Sequence, residues 1–357
     1  MPATSPSAFE FAGQTIGLGE QRDVEVPVGE SAIGRDVVVP VRVWRGVEPG
    51  PAVAITAAVH GDEINGIGIV RQLLIDPPFD LKRGTLILVP VVSVLGFERQ
   101  SRYMPDRRDL NRSFPGSASG SLTSRYAHAI FERIVRKADC LIDLHAAAAK
   151  RTNFPNVRAD LNDPRTAELA ERFGASITVH GTGPDGSLRK AATDAGVPTI
   201  ILEAGEVWKF EPAMIEAGVR GILSALAGMG MINMKPTKPV YRAVCRKTTW
   251  LRADQGGILR FHVGPGEDVD KGQPLATVTT LLGKDLGTIE ASDDGILLGM
   301  TTMPSVVPGD PVCHLAMVEG GIDAIRAARE AAKPQTLDER VRDDLATNMS
   351  LEDHADS

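Results

Sequence analysis

Four short runs in this chain are apolar at nearly every position, and segments long enough for helices separate them. They occupy residues 52–59 (Ala-Val-Ala-Ile-Thr-Ala-Ala-Val), 85–92, 140–144 and 198–202. A strand with one wet face alternates apolar and polar residues; a run without that alternation has both faces covered. Segments 65–74, 124–137, 164–173, 187–195 and 212–229 read as helices, the first with Ile67, Ile69, Val70, Leu73 and Leu74 as core positions, and 176–179 as a further strand. The alternation predicts an α/β fold, a mixed, largely parallel sheet with flanking helices. In such sheets ligands lie beyond the carboxyl ends of the strands. His60, His145 and Glu203 each stand there, directly after an apolar run.

The flanks differ in character. Residues 13–47 alternate apolar and polar, as in Val37-Val38-Val39-Pro40-Val41-Arg42-Val43-Trp44, so 1–47 reads as an N-terminal β segment with a turn at Gly34-Arg35-Asp36. The α/β domain is assigned to 48–235. After Lys235-Pro236-Thr237-Lys238-Pro239 the chain turns rich in Gly, Val, Thr and Pro, and 240–320 reads as a small all-β barrel or sandwich. A weak repeat runs through it. Gly257-Ile258-Leu259 leads to Val269-Asp270-Lys271-Gly272, and Gly295-Ile296-Leu297 leads to Val307-Pro308-Gly309-Asp310. The repeat resembles the halves of a lipoyl/biotinyl-type domain. Lys284 stands where a carrier lysine would, but its Gly283 and Asp285 flanks favour a structural role. Residues 322–332 read as a helix, and 334–357 as a disordered acidic tail.

Composition narrows the classes. With 357 residues, 43% hydrophobic and 24% charged, the chain has the makeup of a globular protein of about two domains. A net charge of -7 with scattered basic residues argues against nucleic acid, and no apolar run reaches the roughly 20 residues of a membrane span. Residues 1–7 lack the basic start and apolar stretch of a secretory signal. Cys140, Cys245 and Cys313 are odd in number and far apart, which suits small buried hydrophobes in a reducing compartment. A cytoplasmic location is expected, and a homo-oligomer is compatible with everything above.

His60-Gly61-Asp62-Glu63 follows the first apolar run and can aim two ligand side chains at one point. Alone, the pair also fits a satisfied strand-end histidine and a glutamate favoured by a helix N-terminus. His145 closes Asp143-Leu144-His145, with Asp143 able to orient a neighbour; taken singly, it fits a core histidine. Together, two His and one Glu with an open position form the ligand set of a hydrolytic zinc site. Arg102, Asn111 and Arg112 share a long polar loop, where binding residues concentrate. Asn111 and Arg112 suit two-point grip on a carboxylate, whereas Arg107 and Arg108 read as solvated. Glu203 is placed for general acid–base work; its rival Glu206 lacks the strand-end position.

The ordered set His60-x-x-Glu63, Arg102, Asp109-Leu110-Asn111-Arg112-x-Phe114, Asp143-Leu144-His145 and Glu203-x-Gly205 resembles the succinylglutamate desuccinylase/aspartoacylase family, a branch of the zinc carboxypeptidase superfamily. The resemblance covers residues 50–230 and implies one Zn2+ per chain on His60, Glu63 and His145. It implies Glu203 as general base, Arg102 as the group polarising the scissile carbonyl, and Asn111 with Arg112 as the holder of a substrate carboxylate. Two features depart from the pattern. Ala146-Ala147-Ala148-Ala149 replaces polar residues after the metal His, and Thr193 stands where an Arg precedes the base. Arg189 is the nearest guanidinium and either substitutes in substrate binding or pairs structurally. The expected activity is hydrolysis of the amide bond in an N-acyl amino acid or similar small acylated amine. The alternative is a metallocarboxypeptidase acting on short peptides.

Overall fold

The computed structural model describes residues 8–347. Its centre is four parallel strands in the spatial order Arg83–Val89, Glu48–Ala57, Cys140–His145, Thr199–Gly205. Their lack of alternation has the expected cause. Val53, Ile55 and Ala57 point to one layer, against Ile69, Val70 and Leu73 of helix Asn65–Ile75 and Met214 and Ile222 of helix Pro212–Gly228. Ala54, Ile87, Val89 and Leu141 point to the other, against Tyr126, Ile130 and Phe131 of helix Leu122–Arg133 and Leu188 and Ala192 of helix Leu188–Asp194. Ile55, Leu86 and Ile142 are fully buried, each stabilising the fold by about 1.5–3 kcal/mol.

Helix ends follow local chemistry. Helix Pro164–Phe173 starts with Pro164 in the first turn and the Asp163 carboxylate accepting from Arg165 N–H, and ends on Gly174 in the left-handed region. Those signals are all in the sequence, and the observed span equals the expected one.

Antiparallel strands extend the sheet on both sides. Asp36–Arg45 and then Gln21–Glu30 continue it beyond Arg83–Val89. Beyond Thr199–Gly205 come Arg151–Ala159, Gly295–Thr301, Pro311–Met317 and Lys247–Arg252, so strands of the C-terminal β unit belong to the same 13-stranded sheet. The sequence repeat has a structural counterpart. Short strand Asp268–Val269 of the first half pairs with Gly295–Thr301 of the second, and Ser305–Val306 of the second pairs with Gly257–Phe261 of the first. Lys284 closes the tight turn between Pro274–Thr279 and Asp285–Glu290.

Two segments differ from expectation. Strand Arg151–Ala159 carries no sequence signal, because Pro155 interrupts it and Arg151, Asn153, Asn156 and Arg158 break the apolar pattern. The tail reading of 334–357 is corrected over Leu337–Thr347, which is a helix with Val341 and Leu345 buried against the main core. Leu337, Val341 and Leu345 form only a one-residue-wide apolar stripe in a stretch otherwise mostly charged, a weak signal beside the acidic composition. Residues 348–357 and 1–7 lie outside the described residues. Among the described residues, no helix is long and apolar enough to cross a membrane.

Candidate metal centre

His145 ends its strand directly beside Glu203, its register partner on the neighbouring parallel strand. His60 reaches the same end of the sheet through the turn after Glu48–Ala57. That turn presses against the next loop: a Cβ on Gly61 would lie 2.1 Å from the Gly96 carbonyl carbon. Gly61 N–H donates to the Ser101 carbonyl, which seats Arg102 beside His60. The motif's glycine is therefore a close-approach residue.

His60, Glu63 and His145 are all buried, with one ligand atom from each within 4.8 Å of the others. The Glu63 carboxylate lies between the rings, Oε1 2.6 Å from His60 Nδ1 and Oε2 2.7 Å from His145 Nδ1. The outward nitrogens face carboxylates: His60 Nε2 is 3.2 Å from Asp109 Oδ1, and His145 Nε2 is 2.8 Å from Asp143 Oδ2. Thr56 Oγ1 donates to the other Asp143 oxygen. An imidazole bound to a carboxylate on one side turns its other lone pair toward a metal. Ala146 N–H donates to Glu63 Oε2, so the alanine run still contributes through its backbone.

The charges are interlocked. Burial opposes ionisation of Glu63, but His60 and His145 override it and hold the carboxyl well below its ordinary range. Burial likewise opposes charge on His145, yet Asp143 and Glu63 raise it well above an ordinary imidazole; His60 is raised by Glu63 and Asp109 against the same burial. Asp109 is half-buried, and against that partial burial His60 and Arg102 hold it low. A buried carboxylate that attracts positive charge on both oxygens, flanked by two oriented imidazoles, fits a divalent cation of the zinc type.

A cavity of about 240 Å³ opens on the triad, and Glu203, Arg102, Asn111, Arg112 and Arg189 line it. Each of Glu203's oxygens has a partner: Asn153 Nδ2 donates to Oε2 at 3.1 Å, and Arg158 Nε stands 3.6 Å from Oε1. The rival Glu206 is engaged elsewhere, with Thr302 and Lys209. Arg102 donates to Glu63 Oε1 and Asp109 Oδ2. Asn111 uses its Oδ1 to accept from Leu188 N–H, which fixes it against the helix bearing Arg189. Arg189 Nε and Nη1 are buried without a hydrogen-bond partner, and burial with the nearby Arg158 charge pushes the guanidinium down to about 10. An unpartnered buried cation in a cavity wall is the opposite of a structural cap; its chemistry suits an anionic group.

Several residues around the triad have no role forecast from the sequence. Asp109, which supports His60 and Arg102, stands inside the Asp109-Leu110-Asn111-Arg112 motif, and its acidic side chain two residues before Asn111 is the available signal. Asn153 and Arg158 lie on the undetected strand. Trp250 and His314 come from the C-terminal unit and stack at 4.7 Å, with the Arg151 guanidinium 4.9 Å from the Trp250 ring centre.

Comparison with known proteins decides the family. The model of the succinylglutamate desuccinylase/aspartoacylase catalytic domain matches residues 49–229. The chain belongs to that family. It is accordingly an amidohydrolase acting on carbon–nitrogen bonds outside peptides. It is 28% identical to N-alpha-acetyl-L-2,4-diaminobutyric acid deacetylase of Halomonas elongata, over 89% of this chain and 95% of that one. Among solved structures, a succinylglutamate desuccinylase/aspartoacylase from Rhodobacter sphaeroides superposes with a TM-score of 0.71 at 25% identity, over 84% of this chain and 96% of that chain. The product-bound ectoine utilization protein EutE of Ruegeria pomeroyi shares the fold, with a TM-score of 0.72 at 22% identity, over 83% and 95% of the two chains.

Proposed function

We propose that this chain is a zinc-dependent deacylase that hydrolyses the amide bond of an N-acyl amino acid or a similar small acylated amine. The observation that carries the reading is the convergence of His60, Glu63 and His145 in the cavity that Glu203 lines. These three residues would hold one Zn2+, which when bound supplies Lewis acidity and lowers the pKa of water. Asp109 and Asp143 keep the two imidazoles oriented for ligation. Glu203 takes the proton of the attacking water and passes it to the leaving amine. The Arg102 guanidinium stabilises the oxyanion that forms at the carbonyl. Asn111, Arg112 and Arg189 grip a substrate carboxylate, which fixes the amide against Glu203.

Amide deacylation is also supported by the Halomonas relative, a deacetylase of an N-acetylated amino acid. The peptidase alternative is disfavoured by the stacked Trp250 and His314, which line the cavity from the C-terminal strands. A volume near 240 Å³ suits a small acyl-amino acid better than a polypeptide. We assign 48–235 as the catalytic domain and 240–320 as the unit that shapes the cavity. Three buried free cysteines support a cytoplasmic setting.

The test is a panel of N-acyl amino acids and dipeptides offered to zinc-loaded enzyme. Hydrolysis of acyl-amino acids in preference to dipeptides is expected. Preference for dipeptides would favour the peptidase, and a lack of turnover on the whole panel would sink the deacylase reading.

A further inference from the structure

Asn153 reaches Glu203 through an irregularity in the sheet. Strand Arg151–Ala159 pairs with Thr199–Gly205 as Glu203↔Asn156 and then Gly205↔Asn153, so three steps on one strand match two on the other. Side chains alternate faces along a strand. A regular ladder would therefore send Asn153 to the face opposite Glu203, and the bulge brings it to the same face. On its other side Asn153 pairs with Gly299 of the β-rich unit. A Cβ on Gly299 would lie 2.5 Å from Asn153 Oδ1 and 2.6 Å from the Thr152 carbonyl oxygen. Both cross-strand neighbours of Asn153 are glycines, and the space beside Gly299 holds its carboxamide, which is 6% exposed; the space beside Gly205 is taken by Glu211, Asn65 and Met214. Its Nδ2 donates to Glu203 Oε2.

We propose that the β-rich unit aligns the general base: Gly299 leaves room for Asn153, and Asn153 is the positioning residue that sets the orientation of the Glu203 carboxylate. The proposal rests on reading Glu203 as the base. It gives the C-terminal unit a role behind the base as well as in the cavity wall. With Oε2 held by the Asn153 amide and Oε1 3.6 Å from Arg158 Nε, the orientation of the carboxylate is fixed, and a misplacement of about 1 Å loses roughly a hundredfold in rate.

The experiment uses the zinc-loaded full-length protein and its best N-acyl amino acid. Asn153→Asp keeps the side-chain shape and removes the donor; Asn153→Ala removes both. In each, kcat is expected to fall about 10- to 100-fold with KM within about threefold of wild type and zinc content unchanged. Gly299→Ala is expected to give the same split by crowding Asn153. Leu282→Ala, at a hairpin tip of the same unit and 97% exposed, is expected to match wild type. A crystal structure of Asn153→Ala is expected to show the Glu203 carboxylate turned from its wild-type orientation. Should Gly299→Ala fail to fold, the two Asn153 variants decide. The proposal is overturned if both retain kcat within about twofold, if KM rises while kcat holds, or if the crystal structure shows Glu203 unmoved. A wild type inert on every acyl-amino acid would end the deacylase reading, while the crystal structures would still decide the positioning of Glu203.

Discussion

From the four parallel strands and the turns that follow them, the groups reaching the cavity include His60, Glu63, His145 and Glu203. From the antiparallel strands that extend the sheet they are Arg151, Asn153, Arg158, Trp250 and His314. The first set can bind a cation and move a proton. The second holds a carboxylate in place, walls the cavity and surrounds it with guanidinium groups. One continuous sheet therefore separates two jobs. Groups at the carboxyl ends of buried parallel strands share a common edge without help from distant residues. Groups on the antiparallel extension depend on register between segments more than a hundred residues apart, as with Gly299 and Asn153.

The two sets should respond differently to mutation. The largest effect is expected in the parallel half: Glu203→Gln should lower kcat by roughly a hundredfold to ten-thousandfold, with zinc content unchanged. Steady-state kinetics paired with metal analysis checks this, and a milder loss would move the base elsewhere. In the extension, Trp250→Ala should change selectivity more than chemistry. Its kcat/KM on small acyl-amino acids is expected to fall about tenfold, with a relative gain for dipeptides. An unchanged acyl-amino acid to dipeptide ratio would show that the wall does not select substrates.

A pH effect separates the halves further. Burial, then the charges of Arg158 and Arg151, depress His314 to about 3. The folded protein therefore favours neutral imidazole, and the unfolded chain binds the proton more readily. The stability gained is complete above the ordinary imidazole value near 6.5 and is lost as pH falls from there toward 3. Over that window the slope approaches about 1.4 kcal/mol per pH unit. Denaturant titrations of wild type and His314→Gln should show the shallower acid loss in the variant; parallel curves would contradict the assignment. The smallest effect concerns the cysteines. Burial raises Cys140, Cys245 and Cys313 each to about 12, so a thiol reagent at pH 8 should find none in the native protein and all three after unfolding.

The same contrast explains what the sequence disclosed. His60, His145 and Glu203 were legible because a run apolar on both faces announces a buried strand, and each residue stands where such a run stops. Asp109 was half legible, inside a motif whose partner, His60, is 49 residues away. Asn153 was hidden twice, by Pro155 in its strand and by the bulge that reverses its face. Trp250 and His314 read as ordinary β-unit residues; their place in the cavity depends on Gly295–Thr301 joining the main sheet. The helix Leu337–Thr347 escaped because its apolar stripe, Leu337, Val341 and Leu345, is one residue wide in a stretch otherwise mostly charged.

The proposed chemistry depends on one metal ion held by His60, Glu63 and His145 and independent of the Glu203 base beside it. Elemental analysis of purified wild type, His145→Ala and Glu203→Gln, each dialysed against the same trace of zinc, tests that directly. One equivalent per chain is expected in wild type and in Glu203→Gln, with near none in His145→Ala. A full equivalent retained by His145→Ala, or a wild type that takes up none, would contradict it.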